Sequence, residues 1–173
     1  LDPGPYFLVV DGARPESLGR FSLSYKVRDM AQLEAACARV PALSFKRKET
    51  GTTAGAGDKF SSSCGGRGTS HTSPDRVYRF AVPRRMGIRL TLETQGFRGL
   101  VSLRRVCADD ATEVKCAEAG EDPGRVIVQT VLDPGAYYAV VDGAGNKAEG
   151  SFTLRLDGFE ERRRAEAAPS NTR

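Results

Sequence analysis

Tryptophan is absent from the 173 residues, and histidine occurs once. Acyl-transfer and zinc hydrolysis lean on imidazole as base or ligand. The single one, His71 in "GTSHTSP", reads as a solvated loop residue. Its neighbouring serines adjoin it in sequence, which seldom gives a nucleophile–base–orienter geometry. No G-x-S-x-G elbow occurs either, so the chain reads as a non-enzyme. No apolar run approaches the ~20 residues that a membrane helix needs, so membrane insertion is not expected. A secretory leader is also not legible, so a secreted chain has lost it or carries it upstream. Twenty-six basic residues against 22 acidic ones leave only +4, dispersed along the chain. Such an excess is a solvated surface and not a nucleic-acid footprint. The run Arg162–Arg164 is read as linker.

What is present begins with four cysteines: Cys37, Cys64, Cys107 and Cys116. Their spacing lacks the close pairs of zinc ribbons and fingers. Disulfides are expected, and with them an oxidising compartment, extracellular or at the cell surface. Four thiols allow three pairings. The reading favours Cys37–Cys64 and Cys107–Cys116, because each would tie a weakly specified loop.

The chain also repeats itself. "LDPGPYFLVVDGA" at Leu1 returns as "LDPGAYYAVVDGA" at Leu132, and Gly19, Phe21 and Leu23 return as Gly150, Phe152 and Leu154. The offset is 131 throughout, and about half of the 25 positions match without a gap. A fixed period of that length is the size of a domain. Each copy reads as a turn, an alternating strand, a second turn and a closing strand, which predicts a β-hairpin. Residues 1–28 are therefore expected to be the terminal hairpin of a preceding repeat. Residues 30–158 would be one complete domain, and 159–173 a linker or tail.

Between the copies, "RDMAQLEAACARV" is read as a short helical turn capped by Asp29, or as linker. "ALSFKRKET" is a weak strand, and "GTTAGAGDKFSSSCGGRGTSHTSPD" a long loop held by Cys64. Then come "RVYRFAV", "MGIRLTLET", "GLVSLRRV", "TEVKCAE" and "RVIVQTVL", alternating and separated by Gly/Pro turns. Seven to nine short strands at this spacing predict an all-β antiparallel sandwich of jelly-roll type, with an extra N-terminal hairpin.

Three sets of residues are candidate sites. Asp109, Asp110 and Glu113, with Glu118, Glu121 and Asp122 nearby, form an oxygen-rich loop suited to weak calcium binding. Tyr137 and Tyr138 should point to opposite faces, one into the core and one outward as a ligand-facing aromatic. Tyr6, Phe7, Val9, Phe21 and Leu23 would form an apolar face on a hairpin that cannot stand alone in water, and so make an assembly contact.

The ordered set Asp75, Tyr78, Phe80, Ile88, Leu90, Leu92, Pro134, Gly135, Tyr137, Tyr138, Gly150, Phe152 and Leu154 resembles the bacterial pre-peptidase C-terminal domain. The resemblance covers residues 75–156 and the N-terminal copy, and is poor over 30–74. It implies a non-catalytic jelly-roll module of secreted or surface proteins. The cysteine pairs resemble a variant found in tandem cell-surface proteins. Some relatives bind collagen or polysaccharide, and some bind calcium near an acidic N-terminal linker. That acidic pattern is missing around residues 29–36, so the family's calcium site is not carried over.

Two functions follow as expectations. One is a structural unit of a tandem surface array or extracellular fibre, with copies of itself or neighbouring repeats as partners. The other is an accessory module that tethers a secreted enzyme to polysaccharide or fibrous protein. No cofactor is expected beyond the weak calcium.

Overall fold

The computed structural model describes residues 5–14, 16–25, 29–64, 72–120 and 124–160. His71, Glu121, Asp122 and Arg162–Arg164 lie outside these. The chain enters its domain through a short helix, α1 (Met30–Ala35), and the Asp29 carboxylate accepts the Ala31 and Gln32 backbone N–H groups. This satisfies donors that a helix start leaves orphaned.

Eight strands follow: β1 (Lys48–Thr52), β2 (Arg76–Val82), β3 (Met86–Gln95), β4 (Gly99–Arg104), β5 (Glu113–Glu118), β6 (Arg125–Leu132), β7 (Gly135–Gly143) and β8 (Ser151–Phe159). They make two antiparallel four-stranded sheets, ordered β1-β8-β3-β6 and β2-β7-β4-β5. This is the eight-stranded jelly roll. Among these strands, only β4 and β5 are sequence neighbours that pair with each other. Every other connection crosses from one sheet to the other.

Period-two alternation places the core between the sheets. Ile88, Leu90 and Leu92 of β3 and Phe152, Leu154 and Leu156 of β8 meet Tyr78 and Phe80 of β2 and Tyr137, Ala139 and Val141 of β7. The Phe80 and Tyr137 rings stack with centroids 5.8 Å apart, and Tyr78 meets Phe152 edge-on at 6.1 Å. Residues 42–46 join the two sheets at one side. The Leu43 N–H donates to the Arg79 carbonyl, and the Lys46 N–H to that of Leu156.

The expected hairpin is corrected in both copies. β7 and β8 do not pair with each other. β7 lies between β2 and β4, and β8 between β1 and β3. The residues joining them form an arch from sheet to sheet. In the N-terminal copy, residues 5–14 and 16–25 contain no strand. The physical reason is the same for both. Each strand of the arch needs two neighbours in its own sheet, and in this domain residues 135–159 already fill those places.

Candidate functional site

The two outer faces of the sandwich differ. On the sheet β2-β7-β4-β5, pairing sets Val77, Val140, Ser102 and Cys116 in one row across the strands. Arg79, Tyr138, Arg104 and Glu113 form the next row. A strand face carrying serine and arginine would ordinarily meet water. Here a strap, residues 57–64, crosses it strand by strand. Over β2, the Asp75 carboxylate accepts the Lys59 and Phe60 backbone N–H groups at 2.6 and 2.8 Å. Over β4, the Ser62 hydroxyl meets that of Ser102, Arg104 donates to the Ser61 carbonyl, and its guanidinium lies over the Phe60 ring. At β5, the Ser63 hydroxyl and N–H donate to Glu113, and Cys64 is bonded to Cys116.

A second cover comes from the end of α1. Cys37 is bonded to Cys107 and packs with Val77, Tyr138 and Val140. The pairing is therefore Cys37–Cys107 and Cys64–Cys116, which corrects the expected one. Their Cα atoms are 6.2 and 5.7 Å apart, within disulfide reach. Each bridge pins a covering segment to the sheet instead of closing a loop on itself. Native proximity sets the pairing, and loop length sets only how far each formed bridge restrains the unfolded chain. The bridges span 70 and 52 residues, worth about 4 kcal/mol each, against about 3 kcal/mol for the shorter loops of the expected pairing.

Under the strap is a buried polar group that sequence reasoning missed. Arg104 is 1% exposed and Asp142 2%. Arg104 also donates to the Cys107 carbonyl, while its Nε finds no acceptor among the described residues. Burial pulls its pKa down, against the pull of Glu113, Asp110, Asp75 and Asp142. Asp142 is pushed up to about 7, first by burial and then by Asp75 and Asp58, although the Gly143 N–H and Arg104 oppose this. Burial also raises Asp75, against the two strap N–H groups. The only signal for this group was alternation: Ser102 and Arg104 face away from Val101 and Leu103. Nothing local to β4 announces the cover.

The expected sites fare as follows. Tyr137 and Tyr138 do point to opposite faces, and both are buried, although the Tyr138 ring lines a hollow of about 500 Å³ beside α1. Tyr137 is core and donates its hydroxyl to the Asp133 carbonyl at 3.0 Å. Tyr138 lies under the α1 cover with Cys37 and Cys107.

The carboxylates of the 105–113 loop do not come together as a cation cage. Asp109 is buried and accepts the Ala111 N–H, capping the 3₁₀ turn Asp110–Thr112, while Glu113 turns to Ser63. Among the described residues, no three acidic, cysteine or histidine side chains are placed to hold a metal ion. The predicted assembly residues Tyr6, Phe7, Val9, Phe21 and Leu23 are all exposed, Phe7 at 93%.

Beyond the hollow lined by Arg79, Arg105 and Tyr138 beside α1, two concave features stand out among the described residues. A groove of about 450 Å³ opens where the edge strands β1 and β2 meet, walled by Arg39, Thr52, Lys59, Asp75, Arg76 and Tyr78. Arg76 donates to the Thr52 carbonyl across it at 2.9 Å. The opposite sheet, β1-β8-β3-β6, has no strap among the described residues, and its face is open. There Arg89 donates to Gln129 and lies opposite Asp157, and Phe159 packs over Gly87, around a hollow of about 530 Å³. Either feature can hold a ligand by hydrogen bonds and charge. Neither joins a nucleophile to a base among the described residues.

No family model matches the chain, and no curated protein matches it. Among solved structures it is similar to the pre-peptidase C-terminal domain of collagenase from Bacillus anthracis. The TM-score is 0.49 at 16% identity, over 69% of this chain and 95% of that one.

Proposed function

We propose that this chain is a non-catalytic structural module of a secreted or surface-exposed bacterial protein, one unit of a tandem array or extracellular fibre. One observation carries the reading. The eight strands already include one copy of the repeated stretch, as β7 and β8, yet the chain holds a second copy in sequence, and that copy leaves Phe7, Val9, Leu18, Phe21 and Tyr25 in water. A contiguous apolar segment of this kind is an interaction surface. Neighbouring repeats or other copies are its partners. The two disulfides suit an oxidising compartment.

Light scattering after size exclusion, with negative-stain imaging of the same fraction, tests it. The full chain associates beyond its 18.6 kDa mass, and removing residues 1–28 returns it to a monomer with both disulfides intact. A full chain that stays monomeric at high concentration counts against the reading.

A second reading, an accessory module that tethers a secreted enzyme to polysaccharide or fibrous protein, is supported by the open face. Phe159, Arg89, Gln129 and Asp157 combine a ring with polar groups, the usual means of holding a sugar. Retardation in gels containing neutral or acidic polysaccharide, lost in Arg89→Ala with the fold intact, would favour it.

A further inference from the structure

The N-terminal copy is more than an apolar segment. At an offset of 131, it keeps the apolar character of most core positions of β7 and β8, with Leu8 and Tyr25 in place of Ala139 and Leu156. The core-facing Tyr137 and Val141 correspond to Tyr6 and Val10, and Phe152 and Leu154 to Phe21 and Leu23. Tyr138 and Val140, which fill the covered outer face, correspond to Phe7 and Val9. The originals are buried throughout, Phe152 at 3% and Leu154 at 0%, while Phe21 and Leu23 stand 69% and 53% exposed.

Two glycines sharpen the match. A Cβ on Gly143 would run into the Ala148 carbonyl, and one on Gly150 would lie 2.8 Å from both the Gln95 oxygen and the Phe97 ring. The ends of the arch therefore admit no side chain. Both glycines recur, as Gly12 and Gly19. Around Gly19 nothing lies within 4 Å. Its present surroundings do not call for glycine, but a sandwich closed over it would.

We propose that residues 1–25 are the β7–β8 arch of a second sandwich, seated in a six-stranded framework of the same kind as residues 29–131, contributed by a preceding unit. The segment enters the middle of both sheets: its first strand lies between the counterparts of β2 and β4, and its second between those of β1 and β3. This differs from edge-strand addition and from hairpin exchange, which require the two strands to pair or to stack at a rim. The occupant is argued from the register. Residues that repeat β7 and β8 fit the seat that residues 29–131 form around the originals, with β2 and β4 flanking one strand and β1 and β3 the other. The inference rests on the array reading above and specifies its contact.

The test extends the full chain. A second copy of residues 29–131 is added ahead of Leu1, and hydrogen exchange is followed by mass spectrometry on peptides covering residues 5–25. In the 173-residue chain these peptides exchange within seconds. In the extended chain they become protected by at least a hundredfold, matching peptides from 136–156, and four disulfides form. Labile 5–25 peptides beside an intact downstream sandwich overturn the proposal. So does protection that survives Gly12→Val with Gly19→Val, since those side chains cannot enter the arch.

A second variant guards against an added framework that merely fails to fold. In the 173-residue chain, residues 132–156 are replaced by the sequence of residues 1–25. This chain folds with both disulfides and one thermal transition, whereas a scrambled insert of the same composition does not. Failure of the grafted arch, or success of the scrambled one, overturns the proposal. Exchange of the arch between two full chains would show as a dimer whose 136–156 peptides lose protection, and that also overturns it. None of these readouts depends on filaments, so failure of the array reading is scored separately by mass and imaging.

Discussion

The Ser62 and Ser102 hydroxyls meet at 2.9 Å, joining the strap to the middle of a sheet that would otherwise face water. Ser102 is fully buried, so its hydroxyl has exchanged water for this partner. Ser102→Ala leaves Ser62 unpaired beneath the strap and should cost about 1–2 kcal/mol. Scanning calorimetry should show a fall in Tm of several degrees, with both disulfides retained.

Arg104 holds the same strap by charge. It donates to the Ser61 and Cys107 carbonyls while Asp75 and Asp142 lie in its field. Removing one partner from a buried charged group is far costlier than trimming a surface pair. Arg104→Ala should destabilise the domain by about 3–5 kcal/mol at pH 8, read by urea unfolding. The loss should shrink at pH 5, where Asp142 is protonated and no longer needs a cation.

Asp142 makes stability depend on pH in the less common direction for a carboxyl. Its folded pKa of about 7 lies above the ordinary value of 3.8, so between these limits the native state binds more protons than the unfolded one. Its contribution is full below about pH 4 and is lost as pH rises through 7. The range is worth at most about 4 kcal/mol. Asp142→Asn keeps an oxygen for the Gly143 N–H and should abolish this slope, leaving the variant more stable than the parent at pH 8. Unfolding at stepped pH checks it, and a carboxyl resonance titrating near 7 identifies the group.

The disulfides should behave as clamps on the covers. Digestion without reductant is expected to yield the peptide pairs containing Cys37 with Cys107 and Cys64 with Cys116. Cys64→Ser with Cys116→Ser should cost about 4 kcal/mol and should raise binding of an apolar dye as the face bearing Val140 and Ser102 is uncovered.

The strands were legible where one face is wet. In β3, Arg89 and Glu93 point outward between Ile88, Leu90 and Leu92, and alternation located the strand almost to the residue. It misled in β4 and β7, whose central residues are buried on both faces. There Arg104 resembled a solvent-facing residue and Tyr138 a ligand-facing ring. A cover made by residues 36–41 and 57–64 leaves no local mark on the strands beneath it. The four cysteines were rightly read as disulfide-bonded, but their pairing was missed for the same reason: the partners lie far apart in the chain, and sequence spacing ranks only nearby pairs. The arch was taken for a hairpin because Asp142-Gly143 has tight-turn chemistry, while the choice between one sheet and two depends on neighbours far away in the chain.

The strand order also sets when the fold can close. β1 has only β8 as a neighbour and β2 only β7, so the first two strands to leave a ribosome have no partner until the final ones emerge. Loop closure over a hundred residues must precede the reward of pairing. The edge strands β1 and β2 therefore dock last, after β4 can pair with β5 and β3 with β6.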